Sequence, residues 1–215
     1  MTPEAAAAFV AAQTAIGRAP LVPELELHLA PELTPIWQAT EANFARACVE
    51  PPYWAFAWPG GQALARFLLD DPAQVAGQRV LDLAAGCGIA AIAAARAGAT
   101  VTAAEIDPLA AAAIRANAAL NRVALSVVLG DALLAPADAE VILAGDVCYE
   151  ARMSGRVVPW LRAAAGRGAA VLLADPGRAY LPREGLEVVA RYDVPVTRDL
   201  EDRLVRETTV YRVLP

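Results

Sequence analysis

Val80-Leu81-Asp82-Leu83-Ala84-Ala85-Gly86-Cys87-Gly88-Ile89-Ala90-Ala91 decides the fold class of this 215-residue chain. The apolar run Arg79–Leu83 predicts a short strand, and the alanine-rich run behind it predicts a helix over 89–97 closed by Gly98. Between them a glycine turn lets a ligand approach the backbone, and the helix start adds the positive end of its dipole. Gly86-x-Gly88-x-x-Ala91 matches the dinucleotide fingerprint, with Glu105 nineteen residues after Gly86.

Glycines alone suit a nicotinamide cofactor, so the residue before them has to discriminate. Asp82 sits at the strand end, and a carboxylate aimed into the crevice repels a pyrophosphate. It suits a ligand carrying an ammonium group, such as the methionine moiety of S-adenosylmethionine. The competing role for Asp82 is a helix-capping or loop carboxylate. Glu105 closes the next strand and can accept hydrogen bonds from ribose hydroxyls in either cofactor class. Asp131, after Gly130, either takes the adenine amino protons or is a surface-turn acid. Cys87 reads as a small filler in the loop.

The pattern repeats outward from this motif. Strands are expected at Thr100–Glu105, 124–129, 140–145 and 169–174, with helices at Pro108–Leu120 and 153–165 between them. Alternation of this kind implies βαβ units and a parallel sheet with right-handed crossovers. The β-rich segments 186–192 and 204–214, joined by a short connection, imply an antiparallel pair closing the sheet edge. Upstream, Thr2-Pro3-Glu4 starts a helix over 4–16 that Gly17 can end. Residues 24–29 alternate as a half-exposed strand, 33–48 read as an irregular helix, 51–61 form an aromatic-rich loop, and 62–69 a helix. The expected organisation is one domain, with a core over 76–215 and an N-terminal extension over 1–75 packed on it.

Composition limits the functions available. The chain holds 52 alanines and 18 arginines and no lysine, which reads as compositional bias, not selection for phosphate binding. Hydrophobic residues at 57% with 20% charged describe a globular chain able to bury a core. A net charge of −6 offers no basic field for nucleic acid. No apolar run approaches the ~20 residues of a membrane span. Cys48, Cys87 and Cys148 are odd in number and lack metal spacing, so no metal site is expected and a cytoplasmic location fits.

Taken together, the glycine motif resembles class I, seven-β-strand S-adenosylmethionine-dependent methyltransferases. More narrowly, residues 52–64 (PYWAFAWPGGQAL) followed by 81–88 (LDLAAGCG) resemble the electron-transfer-flavoprotein β-subunit lysine methyltransferase family. Asp146-Val147-Cys148-Tyr149, followed by Glu150, matches its D-x-x-Y element, and Asp175-Pro176-Gly177-Arg178 is a further match. Ala84-Ala85 departs from the Gly-Ser or Gly-Thr common in such loops. The resemblance covers roughly 21–215. It implies a Rossmann-like seven-stranded α/β sheet with helices on both faces and an antiparallel last strand. It implies methyl transfer to lysines of the flavoprotein β subunit, with a ribosomal stalk protein as a further bacterial substrate; the working unit is expected to be a monomer. By position, Trp58 would lie against the cofactor, Gly86 and Gly88 would hold its methionine portion, and Asp82 would meet its ammonium. Glu105 would take the ribose, Asp131 the adenine edge, and Gly145 would line the floor.

Methyl transfer from a sulfonium is an in-line displacement in which the protein supplies positioning. The acceptor must be a neutral amine, whereas lysine titrates near ~10.4. Asp146, at the carboxyl end of a strand, is expected to orient the amine through a hydrogen bond and not to act as a strong base, since a nearby carboxylate favours the charged form. Tyr149 and Trp54 could wall the channel and favour a cation, with Glu150 beside them. Asp175 and Arg178 either shape the acceptor side or flank a simple Pro-Gly turn. His28 is assigned no catalysis, and the acidic stretch Asp199, Glu201 and Asp202 is a solvated loop. The alternative function is a small-molecule N-methyltransferase of the same fold with an enclosed, lidded pocket. A non-catalytic scaffold and an NAD oxidoreductase stand behind it.

Overall fold

Thr2 opens the first helix in the computed structural model, which describes residues 1–31, 52–196 and 203–215. Its hydroxyl accepts the Ala5 amide at 3.2 Å and Pro3 takes the first helical position, giving α1 (Pro3–Gln13). The helix ends earlier than its alanines suggest. Ile16 and Gly17 belong to β1 (Ala15–Ala19), antiparallel to β2 (Val22–Leu29). Cross-strand pairing overrides local helix preference here. Thr14 marks the change, its hydroxyl bonding both the Val10 carbonyl at 2.6 Å and His28 Nδ1 at 3.1 Å.

The order continues α2 (Pro59–Asp70), β3 (Arg79–Leu83), α3 (Ile89–Arg96), β4 (Thr100–Glu105), α4 (Pro108–Leu120), β5 (Ser126–Leu129), β6 (Val141–Gly145), α5 (Ala151–Gly166), β7 (Ala170–Asp175), β8 (Leu186–Pro195) and β9 (Val205–Val213). β3, β4 and α4 have the expected bounds. α2 begins three residues earlier than expected, because Pro59 is pre-set for the first helical position. The expected helix over 33–48, Cys48, and the acidic stretch Asp199, Glu201 and Asp202 lie outside the described residues.

Seven strands form one sheet in the order β5-β4-β3-β6-β7-β9-β8. β3 through β7 pair in parallel, and β9 runs antiparallel to both β7 and β8. Helices cover both faces, which is why the central strands read as continuous apolar runs. On one face Leu64, Phe67 and Leu68 of α2 and Ala90, Ala91 and Ala94 of α3 meet Val80, Val101 and Leu143. On the other, Val157, Leu161 and Ala164 of α5 meet Ile142, Ala144 and Val171.

The N-terminal elements pack close to the glycine turn. Ala6 and Val10 of α1 lie with Trp54 and Phe56 against Leu109 and Ala113 of α4. Leu25 and Leu27 of β2 are fully buried with Ile89, Ile92 and Cys87. Burying each leucine contributes about 1.5–3 kcal/mol. Two asparagines one helical turn apart clip the hairpin to α4. Asn117 accepts the His28 amide at 2.6 Å and donates to the Cys87 carbonyl at 2.8 Å. Asn121 accepts the Glu26 amide at 3.1 Å and donates to the Glu26 carbonyl at 2.6 Å.

Candidate active site

β3 has β4 on one flank and β6 on the other, so the chain leaves it in opposite directions and opens a crevice beyond the carboxyl ends of these strands. A cleft of about 510 Å³ lies there, lined from β3, β4, β6, the aromatic loop before α2, the start of α5 and Arg178. Two non-glycine residues at the carboxyl ends of β3 and β6, Ala84 (φ 54°) and Asp146 (φ 55°), hold left-handed backbone. Each costs on the order of 1–2 kcal/mol, a strain that persists where surrounding structure enforces it.

The two loop glycines do different work. A Cβ on Gly86 would meet nothing within 4 Å, so its turn leaves a cradle open to the cleft. A Cβ on Gly88 would lie 3.1 Å from Ile114, so Gly88 serves helix packing and does not line the cleft. Glu105 does line it. One carboxylate oxygen accepts the Gly86 amide at 2.7 Å and the other the Ile106 amide at 3.0 Å, which leaves lone pairs for a diol. Burial pushes its pKa up, and those amides oppose the shift. Ile106 is 61% exposed beside it, an apolar surface against which a flat ring can lie. Asp131 also lines the cleft, but its oxygens are engaged by the Leu133 amide at 3.0 Å and by Arg156 at 2.6 Å.

Asp82 is placed differently from the direct ammonium contact expected of it. It is buried beneath the cleft and does not line it. Its Oδ2 accepts the Ala91 amide at 2.9 Å, capping the start of α3 from the neighbouring strand. Burial lifts its pKa to about 7, with the Ala91 amide opposing and the Glu105 carboxylate adding to the rise. Asp82 therefore does not repel a pyrophosphate from within the crevice, and what it denies a phosphate is a single amide. An intramolecular carboxylate already holds one of the amides at the helix start that would receive the phosphates.

At the other end of the cleft, Asp146 reaches back to the aromatic loop. Its Oδ2 accepts the amides of Gly60 at 2.6 Å and Gly61 at 3.2 Å, the first donors of α2 after Pro59. This is why a Trp-Pro-Gly-Gly run stands here. Proline supplies the helix start without a donor, and the glycines let the helix touch the sheet ends. A Cβ on Gly60 would fall 2.5 Å from the Ala174 carbonyl oxygen, and one on Gly145 would fall 2.9 Å from the Gly61 nitrogen. Gly145 lines the cleft, and its missing Cβ lets the start of α2 pack against the end of β6. Burial raises the Asp146 pKa to about 7, against the pull of the nearby Arg178 guanidinium.

Around Asp146 stand Tyr149, 38% exposed, and Tyr53, with ring centroids 5.3 Å apart. Trp58 lines the cleft and donates its indole N–H to the Tyr53 carbonyl at 2.7 Å. Trp54 touches the cleft, yet it is 2% exposed and most of it belongs to the core under α1. Glu150 lines the cleft at the start of α5. Asp175 does not line it. This carboxylate is buried and accepts the Arg178 amide at 2.6 Å, fixing the turn, while the Arg178 side chain alone reaches the cleft. Tyr53, Ile106, Arg152 and Arg156 are lining residues that the sequence reading missed. Tyr53 was visible only as one aromatic among several, and the exposure of Ile106 has no local signal.

The donor set fits an adenosyl sulfonium ligand: an open glycine cradle, a carboxylate for a diol, an apolar face, and cleft-lining carboxylates beside the reacting end. The profile of the family described as ribosomal protein L11 methyltransferase (PrmA) matches residues 63–147. The electron transfer flavoprotein beta subunit lysine methyltransferase of Xenopus laevis is 36% identical over 215 residues, covering 96% of this chain and 86% of that one. The protein of the same name from Danio rerio is 38% identical over 200 residues, covering 89% and 76%. A 16S rRNA methyltransferase of T. thermophilus, solved with AdoMet and guanosine, superposes with a TM-score of 0.55 at 20% identity, covering 94% of this chain and 50% of that one. That likeness speaks to fold alone.

Proposed function

The chain belongs to the electron transfer flavoprotein beta subunit lysine methyltransferase family, and from that premise we propose that it transfers methyl groups from S-adenosylmethionine to lysine side chains of an electron transfer flavoprotein β subunit. The observation that carries this reading is identity of 36% to a relative so named, along 96% of the chain. The bound cofactor supplies an electrophilic methyl group. Gly86 and Glu105 hold and orient it, and Ile106 and Asp131 border its base. Tyr149, Tyr53 and Asp146 receive the lysine, the carboxylate accepting a hydrogen bond from its amine. The net charge of −6 disfavours an RNA substrate, and we take the working unit to be a cytoplasmic monomer.

The test is incubation with labelled S-adenosylmethionine and purified flavoprotein β subunit, followed by fragmentation to locate added mass. Since the enzyme has no lysine, label on the enzyme itself cannot be lysine automethylation. Asp146→Asn is expected to keep cofactor binding and lose turnover; unchanged turnover refutes its role. A second reading, a ribosomal protein acceptor, draws on the PrmA family match and on 36% identity over 139 residues to the ribosomal protein L11 methyltransferase of Laribacter hongkongensis. Methylation of small amines only would overturn both in favour of the small-molecule alternative.

A further inference from the structure

Asp146 presents two unlike oxygens. Oδ2 is occupied by the Gly60 and Gly61 amides. Oδ1 is buried and accepts no hydrogen bond among the described residues. Oδ1 is thus the oxygen of Asp146 left for an acceptor amine, which reaches it from the cleft once the side chains covering it move aside. A cation already stands beside that atom, Arg178 Nη2 at 3.6 Å, with both side chains largely buried. The arginine backbone is set by the hydrogen bond its amide donates to the Asp175 carboxylate and by Gly177 at φ 82°.

We propose that the Arg178 guanidinium keeps the acceptor lysine in its neutral, attacking form, by already balancing the charge of the carboxylate that receives it. This rests on the reading of Asp146 as the receiver of a protein lysine. An ammonium beside an unpaired carboxylate is held in its charged form, whereas an ammonium beside a carboxylate–guanidinium pair meets a like charge at close range. Its proton then leaves to water through the open cleft. The freed lone pair forms the N–C bond as the C–S bond breaks. The positive charge passes from sulfur to nitrogen, leaving a neutral thioether. Arg178 is thus a positioning residue that acts through the proton state of the substrate. A guanidinium suits the task because it does not itself deprotonate in the working range.

The other groups near Asp146 do not duplicate this. Asp175 is a second buried carboxylate that pushes Asp146 up. The Cys87 and Cys148 thiols are themselves pushed to about 12 and about 11 by burial, and so stay neutral. Tyr149 and Glu150 flank the cleft after β6, and Arg152 follows on α5.

The experiment measures pH–rate profiles of wild type, Arg178→Gln and Arg178→Lys on the flavoprotein β subunit, with cofactor affinity by calorimetry at each pH. Removing the guanidinium raises the pKa of the acceptor amine and of Asp146 alike, so both effects move the acid limb to higher pH. Arg178→Gln is expected to move that limb by about one unit, a tenfold loss at pH 7 that largely recovers by pH 10. Arg178→Lys is expected to restore the wild-type limb, with cofactor affinity unchanged in both. Equal loss at every pH in both variants marks a merely structural residue and overturns the proposal. An unshifted limb in an active Arg178→Gln enzyme does the same. If wild type fails to methylate the flavoprotein at all, the substrate reading falls first and the proposal with it.

Discussion

Replacing Gly60 by alanine sets two rules against each other, and the structure decides the sign. Gly60 is the second residue of α2, and glycine-to-alanine inside a helix ordinarily gains about 1 kcal/mol. Here the added Cβ would lie 2.5 Å from the Ala174 carbonyl oxygen, 2.6 Å from Asp146 Oδ2 and 2.7 Å from the Asp146 nitrogen. Two of these atoms are backbone of the sheet ends, and the third belongs to a carboxylate tied to α2. None can swing away. Overpacking of this kind costs about 1–3 kcal/mol. Displacing the helix start also breaks the hydrogen bond that the Gly60 amide donates to a buried carboxylate, worth about 1.5–3 kcal/mol. Against the propensity gain, Gly60→Ala should destabilise by about 2–4 kcal/mol and lower Tm by roughly 5–15 °C at this chain length. Gly155→Ala is the internal control. It lies within α5 with nothing within 4 Å of its added Cβ, and should stabilise by up to about 1 kcal/mol. Thermal and urea melts of the two variants read the difference. A Gly60→Ala protein that melts at or above wild type refutes the seating of α2 on Asp146.

Asp82 and Asp146 have folded pKa values raised to about 7 by burial, so the stability they confer is complete below their unfolded values and is lost as pH rises through about 7. Urea midpoints should therefore fall between pH 5 and pH 8, and Asp82→Asn, whose side-chain oxygen still accepts the Ala91 amide, should make that fall shallower; an unchanged slope counts against the argument. Asn117→Ala leaves the His28 amide and the Cys87 carbonyl without their partner and should cost about 2–4 kcal/mol while weakening cofactor affinity in calorimetry. Arg156→Gln removes a half-exposed ion pair to Asp131 and should change stability by less than about 1 kcal/mol. A larger loss on melting would show the pair to be better shielded than it looks.

Where local pattern and tertiary demand agree, the chain was readable. β3, β4 and α4 end where their periodicity, Gly and Pro signals end, and the antiparallel closing pair was visible in the β-rich tail. Ile16 and Gly17 were misplaced because a hairpin partner in β2 outweighs the alanines before them. The site was legible in identity more than in role. Asp82, Glu105, Asp146 and Gly145 all converge on the carboxyl ends of the central strands. What each side chain does depends on partners far away in sequence. Asp146 bonds amides 85 and 86 residues upstream, and no local spacing announces that. Gly86 and Gly88 look alike in a motif, but only Ile114, on another helix, separates cradle from packing.

The closing hairpin also has a history that the finished sheet conceals. β8 leaves the ribosome before β9, yet β9 is the strand that pairs with β7. At a synthesis rate of roughly 5–20 residues per second, a few seconds separate the completion of β7 from that of β9, and over that time the edge of β7 lacks its native partner. The carboxyl end of β7 carries Asp175 and the turn that aims Arg178. The cofactor half of the crevice can take shape on the nascent chain, while the far wall is settled only when a later strand displaces or forestalls an earlier one. Premature pairing of β8 with β7 is the misfolded state this order of emergence invites.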